Sequence, residues 1–193
     1  MALAVAAFPA FGKELLVFGD SLSAAYGMPE RRGWVALLQE RLKRERPDYS
    51  VANASISGET TAGGRARLAK VLAQHKPAVV VLALGANDGL RGLPVAAMKQ
   101  NLATMIEQSQ KAGARVLLVG MRLPPNYGQA YTSGFEATFR EVARSKKIRL
   151  LPFLLAPVAA DRAAFQADGL HPAAAAQPKL LEPIWRALQP LLK

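Results

Sequence analysis

An α/β fold, with a parallel sheet covered by helices on both faces, is what this sequence predicts, and three observations carry it. Five short apolar runs alternate with stretches whose apolar residues recur at helical spacing. One run, Val79-Val80-Val81-Leu82, is apolar throughout, as a central strand buried on both faces requires. At 193 residues, 51% hydrophobic and 20% charged, with no repeat or low-complexity tract, the chain fits one globular domain with a sizeable core.

The strands are expected at 14–18, 50–54, 78–84, 115–119 and 148–151. After the first comes a helical stripe of Trp34, Leu37, Leu38 and Leu42, interrupted by Arg41. After the second, Leu68, Val71 and Leu72 repeat the spacing behind Thr60-Thr61. Met98, Leu102, Met105 and Ile106 form a third stripe, with Pro94 at its first turn and Gly113 at its close. Phe135, Phe139, Val142 and Ala143 form a fourth. These methionines and aromatics read as core rather than as a cofactor site. The last helix is expected from about Pro178 through Leu181, Ile184, Trp185 and Leu188, kinked or interrupted at Pro183. Right-handed crossovers then gather the loops 19–27, 55–60, 85–92, 120–131 and 152–171 at the carboxyl edge of the sheet, where open α/β folds hold their ligands.

The chain has no cysteine, which excludes a disulfide framework, a thiolate metal site and a thiol redox centre. The formal net charge is +11, from 25 basic and 14 acidic residues, which favours anionic partners such as phospholipid head groups or nucleotide-bearing substrates. Nucleic acid is not expected, because the basic residues are scattered apart from a run at 144–149 and no aromatics interleave to stack bases. No apolar stretch reaches the ~18 residues of a membrane span. Residues 1–11 are uncharged and resemble the apolar part of a secretory signal without its basic start. Residues 1–12 are accordingly expected to be the remnant of an export signal or an N-terminal arm, followed by a single domain over 13–193 and a periplasmic or secreted location.

The chemistry begins at Gly19-Asp20-Ser21-Leu22-Ser23, directly behind the first apolar run, where Ser21 is a candidate nucleophile. An ordinary turn uses the same residues, so the stretch needs partners. Of the two histidines, His75 sits at a helix end and reads as structural. His171 lies in Asp168-Gly169-Leu170-His171-Pro172, where a carboxylate three residues ahead can accept the Nδ1 hydrogen and leave Nε2 as a base. Ser21, Asp168 and His171 can thus form a relay in the chain order of the α/β-hydrolases, although their Gly-x-Ser-x-Gly elbow is absent. Oxyanion donors are available from Gly58, in the loop after the second strand, and from the Asn87 amide, after the third. Taken singly, each is also a common turn residue.

Four blocks in order resemble the SGNH subgroup of the GDSL esterases: Gly19-Asp20-Ser21-Leu22-Ser23, Ser57-Gly58-Glu59-Thr60, Gly85-Ala86-Asn87-Asp88 and Asp168-Gly169-Leu170-His171-Pro172. Asn87-Asp88-Gly89-Leu90-Arg91-Gly92 and Arg122-Leu123-Pro124-Pro125-Asn126-Tyr127-Gly128 resemble its bacterial periplasmic branch of multifunctional thioesterases and lysophospholipases. The resemblance implies a three-layer αβα, flavodoxin-like fold with five parallel strands. It implies Ser21 as nucleophile, His171 as base and Asp168 as its orienter, with Ser21 N–H, Gly58 N–H and the Asn87 side chain as the oxyanion hole. It further implies hydrolysis of aryl esters, thioesters and lysophospholipids without metal or cofactor. Ala25 departs from the family, where glycine is frequent.

Leu90, Leu93, Leu123, Pro124 and Phe153 are expected to line an apolar acyl groove, with Arg91 and Arg122 near an anionic leaving group. The expected partner is a small acyl ester or thioester, with the chain acting as a monomer. Two other functions compete: a carbohydrate O-deacetylase on the same scaffold, with a wetter site, and a non-catalytic lipid- or anion-binding module, which requires a broken triad.

Overall fold

The computed structural model describes residues 12–193, so the expectation of an export signal falls, up to residue 11, outside the described residues. Five strands, β1 (Lys13–Gly19), β2 (Tyr49–Asn53), β3 (Val79–Ala83), β4 (Arg115–Val119) and β5 (Arg149–Leu151), form one parallel sheet in the order β2-β1-β3-β4-β5. Alternation along each strand divides the core in two. Leu15, Val17, Val79, Val81, Leu117 and Val119 face one side and pack against helices α1 (Trp34–Glu45) and α6 (Gln177–Leu188). Leu16, Phe18, Val80, Leu82 and Leu118 face the other, beneath α2 (Thr61–His75), α4 (Val95–Lys111) and α5 (Gln129–Ser145). A five-residue helix, α3 (Ala86–Leu90), lies in the loop after β3. Each fully buried Leu or Phe in these layers contributes roughly 1.5–3 kcal/mol.

The expected strands match to within a residue or two at each end. The expected helical stripes are buried: Trp34, Leu38 and Leu42 in α1, Met98 to Ile106 in α4, Phe135 and Phe139 in α5. His75 has the structural role assigned to it, with Nδ1 2.7 Å from Glu14 Oε1 at the end of α2. Pro183 corrects one expectation, for α6 runs unbroken through it. The carbonyl that loses its donor belongs to Lys179, an exposed residue open to solvent, while Leu180, Leu181, Ile184 and Trp185 hold the opposite face in the core. Too short to show periodicity, α3 was not expected.

The start of α2 is anchored by a buried polar cluster. Thr60 Oγ1 accepts from Gly63 N–H at 3.3 Å as the cap. Thr61 donates twice to Asp88 of α3, by N–H at 2.8 Å and by hydroxyl at 2.5 Å, and Thr61 Oγ1 accepts from Asn101 Nδ2 at 3.1 Å. All three side chains are buried, so α2, α3 and α4 are locked together beside the loops that follow β2 and β3. Replacing Asp88 by Ala leaves two buried donors without an acceptor, at about 2–4 kcal/mol. Urea denaturation is expected to show this loss, and a much smaller one for Asp88→Asn, which keeps one acceptor oxygen.

Candidate active site

The site occupies the carboxyl edge beside β1 and β3, where the winding of the sheet reverses. After Gly19 the chain turns tightly, Asp20 C=O accepting from the N–H groups of Ser23 and Ala24 at 3.1 and 3.0 Å. This turn lifts Ser21 out of the core. Ala25 closes it with φ +56°, the left-handed region that glycine enters without cost, which gives the departure from the family a local strain of about 1 kcal/mol. The turn is held from above by α1, whose Trp34 Nε1 donates to Leu22 C=O at 3.0 Å.

His171 arrives from the far end of the chain. The segment 165–172 folds back on itself: Phe165 and Pro172 form an antiparallel bridge, and Gln166 N–H donates to His171 C=O at 2.8 Å. Gly169, at φ +68°, makes the reversal. Buried Gln177, the first residue of α6, joins the two halves of the site. Its Oε1 accepts from Trp34 N–H at 3.1 Å and its Nε2 donates to Pro172 C=O at 3.2 Å, tying the histidine turn to the helix that clamps the serine turn. Gln166 Nε2 adds a second tie, to Tyr26 C=O at 2.8 Å.

The three residues expected to act together meet. Asp168 Oδ1 accepts from the N–H groups of His171 and Leu170 at 3.0 and 2.9 Å, and Oδ2 lies 2.7 Å from His171 Nδ1. These backbone donors, first His171 and then Leu170, followed by the imidazole, stabilise the charged carboxylate and lower its pKa to about 2. An ionised carboxylate only accepts, so the proton lies on Nδ1, and the neutral ring presents Nε2 as an acceptor. Ser21 Oγ, 2.8 Å away, donates to it. The Tyr26 ring covers the imidazole at a centroid distance of 4.4 Å.

The expected donors line the same cavity as Ser21. Gly58 has φ +79°, and its C=O accepts from Arg91 Nη2 at 2.9 Å, which holds the peptide in place. Among the described residues the N–H groups of Ser21 and Gly58 have no protein acceptor. Asn87 spends one amide hydrogen on Glu59 C=O at 3.0 Å, which leaves the second for the cavity. Ser21, Gly58, Asn87 and His171 all line one cavity of about 660 Å³.

Of the residues expected in the groove, Leu90, Arg122, Leu123, Pro124 and Phe153 line this cavity. Arg91 and Leu93 do not: Arg91 turns to the Gly58 carbonyl, and Leu93 points to solvent beyond the end of α3. Met121, Leu155, Phe165 and Leu170 complete the apolar wall. They come from the two loops that follow β4 and β5, whose residues no local spacing could join. Gln166 and Gln177 were also missed, since a lone glutamine carries no motif.

Asp20 is a further group that sequence reading passed over. It is buried, and its carboxylate receives one side-chain bond, from Leu22 N–H at 3.0 Å. Desolvation raises its pKa from 3.8 to about 6, opposed by that N–H and by the nearby His171. The folded chain therefore keeps a proton that the unfolded chain gives up between about pH 4 and 6. This group costs nothing below its unfolded value, and its penalty grows through that window and is full above it. Asp20→Asn is expected to melt higher than the parent at pH 7.5, by an equivalent of about 2 kcal/mol, with the gap closing at pH 4. Equal gaps at both pH values would contradict the buried-charge account.

Comparison with known proteins agrees with this architecture. A model of the GDSL-like Lipase/Acylhydrolase family matches residues 17–177. Esterase TesA of Pseudomonas aeruginosa is 53% identical over 192 residues, covering 100% of this chain and 96% of its own. Thioesterase 1/protease 1/lysophospholipase L1 of Escherichia coli is 41% identical over 178 residues, 92% of this chain and 84% of its own. The crystal structure of TesA superposes with a TM-score of 0.90 at 54% identity, covering 93% of this chain and 99% of that one. With its four blocks converging on one cavity, the chain belongs to the GDSL-like lipase/acylhydrolase family.

Proposed function

We propose that this chain is a serine hydrolase that cleaves carboxylic esters and thioesters, among them aryl esters, acyl-CoA-type thioesters and lysophospholipids. The observation that carries the reading is the hydrogen-bonded series Ser21–His171–Asp168, at 2.8 and 2.7 Å, opening on an apolar cavity of about 660 Å³. Family membership and the names of the relatives support the reaction class.

In the proposed reaction Ser21 Oγ attacks the acyl carbonyl while His171 Nε2 takes its proton, and ionised Asp168 stabilises the imidazolium. The tetrahedral oxyanion lies among Ser21 N–H, Gly58 N–H and the free Asn87 amide hydrogen, donors already fixed before charge develops. His171 returns its proton to the departing alcohol or thiol, leaving an acyl-enzyme. Water, deprotonated by His171, then attacks the acyl carbonyl and releases the carboxylic acid and Ser21. The relay and the cavity come from one chain, so the reading needs no partner subunit. An exported location, periplasmic or secreted, belongs to the same reading and rests on the uncharged apolar stretch 1–11.

The lining favours an acyl chain over an acetylated sugar, because Leu90, Leu123, Phe153, Leu155 and Phe165 offer few polar atoms to sugar hydroxyls. An intact relay likewise speaks against a non-catalytic module. A fluorophosphonate probe is expected to label the protein, and Ser21→Ala is expected to abolish labelling and lower kcat on aryl esters by about 10⁴-fold or more. Equal labelling of the two proteins overturns the reading. Leu123→Ala is expected to lower kcat/KM on long acyl chains relative to short ones by roughly three- to tenfold. An unchanged chain-length profile removes Leu123 from the groove.

A further inference from the structure

Among the described residues four large apolar side chains stand exposed, Tyr26, Ile56, Leu93 and Leu170, at 49, 50, 36 and 45%. Single exposed apolar residues are ordinary surface, but these four all lie at one edge. Tyr26 follows β1, Ile56 follows β2, Leu93 follows β3 and α3, and Leu170 is in the histidine turn. Each is held in place at the backbone. Ile56 N–H donates to Gly19 C=O at 3.0 Å and Leu93 N–H to Asp88 C=O at 2.9 Å. Leu170 N–H donates to Asp168 Oδ1 at 2.9 Å, and Tyr26 C=O accepts from Gln166. Tyr26 and Leu170 line the cavity, and Ile56, next to the lining residue Ser57, and Leu93 stand on loops of the same sheet edge.

The same loops carry Arg31 and Arg32 in the short turn before α1, Arg91 after α3, and Arg162 in the turn before Phe165. Among the described residues none of the four is in an ion pair, whereas Arg122, nearer the cavity, is paired with Glu136 at 3.0 Å. The exposed acidic residues of these turns are Glu30, Asp161 and Asp168, three against the four arginines, so positive charge prevails narrowly at the rim, on a chain whose net charge is +11.

We propose that this rim is a docking surface for an anionic phospholipid bilayer. Tyr26, Ile56, Leu93 and Leu170 enter the head-group layer, where an aromatic ring with a polar tip is at home, and the arginines take lipid phosphates. The attachment is peripheral: no described helix is long and apolar enough to cross a membrane. Docking in this way opens the apolar cavity onto the lipid–water boundary, so that a single-chain amphiphile passes from one to the other without exposing its tail to water. Only that consequence rests on the hydrolase reading; the docking itself does not.

Binding is therefore measured without turnover, by co-sedimentation of the full chain carrying Ser21→Ala with phosphatidylcholine vesicles, with and without phosphatidylglycerol. Binding is expected to rise about tenfold with the anionic lipid and to fall as salt screens it. Adding Ile56→Ser with Leu93→Ser, or Arg31→Gln with Arg32→Gln and Arg162→Gln, is expected to weaken it about tenfold in either case. None of these five side chains lines the cavity, so with Ser21 restored both variants should hydrolyse a soluble short-chain ester within about twofold of the parent, which also reports that they fold. Absence of vesicle binding overturns the proposal. So does binding that survives the Ile56/Leu93 change and depends on the arginines alone, since that is the attraction of any polyanion, nucleic acid included. A parent protein that binds vesicles but hydrolyses no ester leaves the docking standing and removes the hydrolase reading.

Discussion

The arrangement depends on β1 pairing with two neighbours from opposite directions of winding. The chain goes from β1 outward to β2, then returns across β1 to lay down β3, so the loops after β1 and β3 part company at the carboxyl edge and leave a crevice. β1 can occupy this position because Leu15, Leu16, Val17 and Phe18 are apolar on both of its faces. Register carries the effect upward: Gly19 stands opposite Ala83, so the serine turn and the Asn87 helix leave the sheet side by side.

What the sheet brings near, hydrogen bonds bring into contact. Ser21 and His171 are 150 residues apart, and a relay at 2.8 Å tolerates little error. Trp34 and Gln177 supply the accuracy by joining the first and last helices to both turns, and they do so in buried surroundings where an unmade bond is costly. The Asp168 turn is stiffened in the same way by three donors on one carboxylate. Asp20 runs against this economy: its buried carboxylate is less well satisfied than any of these, next to the Ser21 hydroxyl. Destabilised groups collect at functional sites, where selection acts on chemistry rather than on stability.

The electrostatics of the surface and the apolar character of the cavity form one pattern. Most basic residues lie on helix faces and several are paired with acids, as Arg41 is with Glu45 and Glu182, and Lys146 with Glu107. Arg31, Arg32, Arg91 and Arg162, which form no ion pair among the described residues, differ in sharing their loops with exposed apolar residues. A surface of that composition suits amphiphiles, and so does the wall of Leu90, Leu123, Phe153 and Phe165 below it.

How much was legible beforehand follows from the range of each interaction. Apolar runs and helical stripes are local, so strands, core helices and the parallel class were readable from neighbouring residues, as Val79 to Leu82 and Met98 to Ile106 illustrate. The Asp168-x-x-His171 turn was readable for the same reason, being closed by bonds within four residues. Gln177, Tyr26 and the wall residues Met121, Leu155 and Phe165 were not, because each acts on groups distant in sequence. Pro183 was misjudged because the cost of a lost helical bond depends on whether water reaches the bare carbonyl, which only the packing of α6 decides. The sequence by itself determined the layers, the edge on which the loops gather and the chemical types placed there. Tertiary structure alone decided which way Arg91 turns, how the cavity is walled, and that a serine and a histidine at opposite ends of the chain meet, because side-chain direction and long-range contact are set by packing and not by spacing.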